Sequence, residues 1–148
     1  MRAINHALTG AVIGLTVHNP AVALPAALVS HLVCDAIPHH GSAAKDAITS
    51  RWFAYSLVID ALLCGALVFV LYLSGTNYWL LASVCAFLAA SPDFLSVRKY
   101  VASLQGKKYT PNRLENILKK IQWFERPIGG VVEAAWLVAG VVVISVFV

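Results

Sequence analysis

Five apolar runs, at about 3–17, 20–37, 52–74, 78–92 and 127–148, organise the chain. A helix that crosses a bilayer needs about 20 residues, with a working range of about 17–25. The third and fifth runs meet that length and the second is marginal. The first and fourth are short, so their ends are expected in protein-lined or thinned regions. No run alternates with the period of a strand, and backbone groups in lipid must be satisfied internally, so every run is predicted to be helical.

The breaks between the runs carry the next signal. Asn19-Pro20 joins the first pair and Gly75-Thr76-Asn77 joins the third and fourth, neither with a Lys or Arg. The basic residues are Arg2, Lys45, Arg51, Arg98, Lys99, Lys107, Lys108, Arg113, Lys119, Lys120 and Arg126. With five spans, all of them fall on one side, which the positive-inside rule makes cytoplasmic. The N-terminus is then inside and the C-terminus outside, in a prokaryotic-type inner membrane. Tyr72, Tyr78 and Trp79 at one face, and Trp52, Tyr55 and Trp123 at the other, have the placement of aromatic belts.

Residues 93–126 form the long hydrophilic stretch. Thr110-Pro111 reads as an N-cap and first helical position. Leu114, Ile117, Leu118, Ile121 and Phe124 follow at helical spacing, opposite Arg113, Lys119 and Lys120, which describes a basic amphipathic helix on the membrane surface. The expected fold is all-α: one domain over 1–148, a polytopic membrane bundle of about five transmembrane helices plus this interfacial helix. Its expected partners are membrane lipids and their anionic headgroups, with a homo-oligomer left open.

Composition agrees with this reading. Of the 148 residues, 59% are hydrophobic and 12% charged, against about 45–50% and about 25% for soluble domains. The net charge of +4 reflects orientation and headgroups, not nucleic acid. Cys34, Cys64 and Cys85 lie in apolar runs without a C-x-x-C pair, so they are packing residues, not a disulfide or thiolate site. Arg2 and the small-x-small Ala21-Val22-Ala23 outline a leader peptide, but Asn5, His6, Thr9 and Thr16 interrupt the run, so the segment is expected to be retained.

Ionisable residues inside the runs change the picture again. His6 lies near the start of the first helix, and His31 and Asp35 in the last turns of the second, followed by His39 and His40. Asp60 sits about 12 Å into the third helix and Glu133 about 10 Å into the fifth, at 1.5 Å per residue. Asp93 ends the fourth. On the five-span topology all belong to the cytoplasmic half, where isolated acids are costly and are expected to face the bundle interior. His31-x-x-x-Asp35 has the i, i+4 spacing that puts both on one face. Pro38 ends the helix, and one of His39 or His40 can fold back towards Asp35. Imidazole and carboxylate together suit a divalent metal, zinc or manganese first. A His–Asp hydrogen bond satisfying two buried groups is the simpler alternative.

Asn5-His6-Ala7-Leu8-Thr9-Gly10 and His31-Leu32-Val33-Cys34-Asp35-Ala36-Ile37-Pro38-His39 resemble small prokaryotic membrane-bound metal-dependent hydrolases. The similarity is concentrated in residues 4–41, with an echo at Ser91-Pro92-Asp93. The family's acidic Leu-Pro-Asp-x-Asp motif is reduced here to the single Asp93. The resemblance implies a helical membrane protein with a metal site.

The expected function is therefore metal-dependent hydrolysis of a lipid, or of a lipid-linked phosphate or ester, at the cytoplasmic interface. His6, His31, Asp35, one of His39 or His40, and Asp93 are the candidate ligands. Asp60 or Glu133 is the candidate catalytic base, and Arg98 and Lys99 are candidates for a phosphate or headgroup. An ion, metal or proton transporter is the alternative, although the outer halves of the third and fifth runs contain no ionisable residue. A non-catalytic assembly protein is the third class.

Overall fold

The structure, a computed structural model, describes residues 1–40, 51–121 and 128–148. Lys45, Trp123, Phe124 and Arg126 lie outside the described residues. Among those described, the chain is all helical: α1 (Ala3–Thr16), α2 (Pro20–Asp35), α3 (Arg51–Leu73), α4 (Trp79–Ala90), a 3-10 turn (Ser91–Asp93), α5 (Phe94–Leu104), α6 (Arg113–Ile121) and α7 (Gly129–Ile144).

The helix boundaries follow local chemistry. Asn19 caps α2 by accepting the Ala21 N–H at 3.0 Å, with Pro20 in the first helical position, where its missing donor costs nothing. α2 stops at Asp35, three residues before Pro38, as the bias against helix before proline requires. The start expected at Thr110-Pro111 is displaced to Arg113. Asn112 accepts the Glu115 N–H at 2.8 Å while the Glu115 carboxylate accepts the Asn112 N–H, and this reciprocal capping box outcompetes the Thr-Pro pair. α5 is a separate helix that the hydrophilic composition of 93–126 did not isolate.

α1 is the hub, packed against α4, α2, α7 and α3. Its contact with α4 is made by small residues. A side chain at Gly10 would place its Cβ 2.3 Å from the Cys85 carbonyl oxygen, and one at Gly14 would meet the Ala82 Cα at 2.5 Å. Ala7, Ala11, Ala82, Ala86 and Ala90 line the same buried contact. Close backbone approach through small residues four apart is how apolar helices associate when water exclusion supplies no drive. α7 is tied to α1 by the Trp136 Nε1–H on Thr9 Oγ1 (2.9 Å) and by Asn5 Nδ2 donating to the Glu133 carbonyl (3.1 Å).

Much of the outer surface is apolar. On α3 only Asp60, Leu67 and Leu71 are buried, while Leu62, Phe69 and Leu73 are each at least 60% exposed. Among the described residues α3, with 23 residues, is the one unbroken helix long and apolar enough to cross a membrane. Trp79–Asp93 and Val97–Leu104, bent by 45°, together form a second candidate if they are one broken span. α1, α2 and α7 are apolar but have 14, 16 and 16 residues, or about 21–24 Å at the α-helical rise.

Candidate metal centre

The start of α1, the end of α2 and the end of α4 meet at one end of the bundle. Tyr72, Tyr78 and Trp79 gather at the other, where Tyr72 packs edge-on against Trp79 and Tyr78 stacks on His18. The polar end holds His6, His31, Asp35 and Asp93. Each offers one ligand atom, and the four atoms lie within 4.8 Å of one another.

The helical period does the first part of this assembly. One turn apart on α2, His31 Nε2 and Asp35 Oδ2 are 3.2 Å from each other. Packing does the rest. α1 delivers His6, whose ring stacks on that of His31 with centroids 4.0 Å apart and whose Nε2 is 3.2 Å from Asp35 Oδ1. The turn after α4 delivers Asp93, with Oδ2 at 3.9 Å from His6 Nε2 and Oδ1 at 4.0 Å from His31 Nε2. His6, His31 and Asp35 are almost wholly buried, whereas the Asp93 side chain is 27% exposed.

Two observations suit this set to a divalent metal. His31 Nδ1 lies 2.8 Å from the Ala89 carbonyl, which only accepts, so Nδ1 carries the proton and Nε2 is left facing the two carboxylates. Orientation of a ligand histidine by a carbonyl behind it is a common feature of metal sites. His6 Nδ1 is buried without a hydrogen-bond partner, an arrangement that buried polar groups otherwise avoid, and Nε2 has the carboxylates of Asp35 and Asp93 at 3.2 and 3.9 Å. Two imidazoles and two carboxylates match the nitrogen and oxygen donors of zinc and manganese sites. The Met1 amino group donates to Asp35 Oδ1 at 2.6 Å, a contact that a metal on this oxygen would have to displace.

The other candidates are placed differently. Asp60 Oδ1 accepts from Arg2 Nε at 3.1 Å, and Glu133 Oε1 accepts the Arg2 backbone N–H at 3.1 Å. Both acids are at the polar end but form a separate group around Arg2. His39 is buried and its Nδ1 bonds the Ile37 carbonyl at 2.8 Å. A Cβ at Gly129 would lie 2.1 Å from the His39 carbonyl carbon, so α7 begins directly against this turn. His40 lines a cavity with Arg2 and Glu133. Neither histidine joins the four converging residues. Arg98 is exposed on α5, 3.8 Å from Glu115, and Lys99 is exposed beside it.

Arg2 and Asn5 were not singled out as site residues from the sequence. Arg2 read as an orientation signal, and no local spacing links Asn5 to Glu133, 128 positions away. The Gly10-x-x-x-Gly14 and Ala82-x-x-x-Ala86 spacings were legible signals for the α1–α4 contact that sets the site. Among known proteins, no family model, no curated protein and no solved structure matches the chain, so the centre is read from its own chemistry.

Proposed function

We propose that the protein is an integral-membrane, metal-dependent hydrolase of a lipid, or of a lipid-linked phosphate or ester, with its site at the cytoplasmic interface. The observation that carries the reading is the buried convergence of His6, His31, Asp35 and Asp93 from three helices. Ionisable groups buried in apolar bundles are expensive and mark function by default. The apolar exterior of α3 and α7 supports a lipid setting, since soluble monomers rarely expose large contiguous apolar patches. In that setting α1, α2, α4 and α7 complete a five-span bundle, the shorter helices being accommodated by local thinning. The one-sided basic residues orient its polar end towards the cytoplasm.

In this reading His6, His31, Asp35 and Asp93 hold zinc or manganese. The ion, when bound, supplies Lewis acidity and a lowered pKa for water. His31 is held in register by Ala89, and Asp93, the most exposed of the four, marks the side from which substrate would approach. Asp60 and Glu133 are the carboxylates available as general base, and both are positioned by Arg2. The resemblance of residues 4–41 to membrane-bound metal-dependent hydrolases points the same way.

The test is elemental analysis of detergent-purified protein beside Asp35→Ala, followed by a hydrolysis screen on phospholipids and polyprenyl phosphates. Near-stoichiometric zinc or manganese, absent from the variant, with chelator-sensitive release of product, is the expected result. Wild-type protein that takes up neither ion after reconstitution overturns the proposal.

A further inference from the structure

A second polar feature lies on the α3–α7 side of α1. A cavity of about 300 Å³ opens between α1, α3 and α7, lined by Arg2, Ile4, Asn5, His40, Leu63, Gly130, Glu133, Ala134 and Leu137. Ile4, Leu63, Ala134 and Leu137 make its apolar part, while Arg2, Asn5, His40 and Glu133 provide the polar one. Asn5 is 1% exposed, and its Oδ1 has no hydrogen-bond partner although its Nδ2 is spent on the Glu133 carbonyl. A buried acceptor left open beside a cavity wants a donor from whatever fills that cavity.

The charges narrow the occupant. The Arg2 guanidinium is already paired with Asp60, so Glu133 leaves the polar part with a net negative charge that disfavours an anionic head. It offers acceptors at Asn5 Oδ1 and the Glu133 carboxylate, and donors on the Arg2 guanidinium. A hydroxyl both donates and accepts, and so matches this mixed set better than a phosphate, which at neutral pH mainly accepts, or an ammonium, which only donates. The volume is at the small end of ligand cavities, which favours one alkyl chain over two.

We propose that this cavity binds a single-chain lipid with a hydroxyl-bearing neutral head, of the monoacylglycerol type. The chain lies against Leu63 and Leu137, and the hydroxyls meet Asn5, Glu133 and Arg2. The cavity shares Glu133, a candidate catalytic base, and its partner Arg2 with the metal-centre reading, but none of its lining residues is one of the four converging ligands, so binding here does not require the metal.

The experiment uses the full chain in nanodiscs with an alkyl glycerol ether bearing a diazirine in its chain, a probe that cannot be hydrolysed at an ester. Cross-links are expected on α3 and α7 around Leu63 and Leu137, displaced by unlabelled oleyl glycerol ether. An alkyl methyl ether without hydroxyls is expected to compete about tenfold less well, the loss typical of unmade hydrogen bonds at a buried acceptor. Two cavity-filling changes on different helices, Ala134→Phe and Leu63→Trp, are each expected to remove the labelling, so the test survives if one of them fails to fold. His31→Ala is expected to retain it, which separates this site from the metal centre. Labelling spread evenly over the outer apolar faces overturns the proposal. So does labelling unchanged in a folded filling variant, or equal competition by the methyl ether.

Discussion

Two polar groups flank the start of α1, built from similar residue types, and they are resolved in opposite ways. Around Arg2, the carboxylates of Asp60 and Glu133 each accept a donor from one residue, Asp60 from the guanidinium and Glu133 from the backbone N–H. On the other side, His6 and His31 both bring Nε2 against Asp35 and Asp93, and His6 Nδ1 is left without a partner. A buried acid is therefore not a site by virtue of being buried. What distinguishes the second group is four ligand-type side chains whose donor atoms converge within 4.8 Å of one another.

The sharpest way to break this contrast is to compare metal content across both groups. His31→Ala and Asp35→Ala are expected to lose bound metal completely, while Asp60→Asn and Glu133→Gln keep it near the wild-type level, by elemental analysis of matched preparations. Loss of metal from the Arg2 group would merge the two regions into one centre.

Next in size is the α1–α4 contact that holds the first group together. Gly10→Val puts a side chain against the Cys85 carbonyl, a backbone atom that has no rotamer to yield. Overpacking of this kind costs typically about 1–3 kcal/mol or more. Thermal unfolding in detergent should show the loss, with metal affinity falling in parallel because His6 moves with α1. Unchanged stability would mean that α1 and α4 are farther apart than described.

A smaller effect is expected on the Arg2 side. Arg2→Ala leaves Asp60 without its ion-pair partner. Breaking a wholly buried pair costs about 3–5 kcal/mol, but the Arg2 side chain is 42% exposed, so about 1–2 kcal/mol is expected. Restoring stability with Asp60→Asn in the same chain is the check, since the double variant removes the unpaired charge as well.

The smallest lies away from both groups, at the start of α6. The Glu115 carboxyl is held below its ordinary value of 4.5 by the Tyr109 hydroxyl and the Asn112 N–H. Because the folded value is depressed, its contribution is full above the unfolded pKa and is lost as pH falls through the folded one. Amide exchange in α6 should therefore rise below about pH 4.5, and Glu115→Gln should remove that dependence while metal content stays constant. A pH-independent α6 would remove the capping box from the account.

Local chemistry made much of this legible before any packing was known. The apolar runs matched helices whose ends differ by a few residues, because length, apolar continuity and capping residues act within a turn or two. His31 and Asp35 were paired by the helical period, and Pro38 placed the end of α2 nearby. The runs did not decide how many helices cross a membrane, since α1, α2 and α7 are shorter than the runs that predicted them. Nor did composition find α5, whose mixed residues blur its period.

Only the tertiary structure decided which ionisable groups belong together. His6 reaches residues 31, 35 and 93 because Gly10 and Gly14 let α1 sit against the backbone of α4. The same orientation turns Asn5 and Arg2 towards α7, and so commits Asp60 and Glu133 to Arg2. His39 is held by the carbonyl of Ile37 beside the first turn of α7. A sequence specifies each helix through interactions a few residues apart. The rotation of one helix against the next is set by the fit of small residues on both, and that fit exists only when the helices meet.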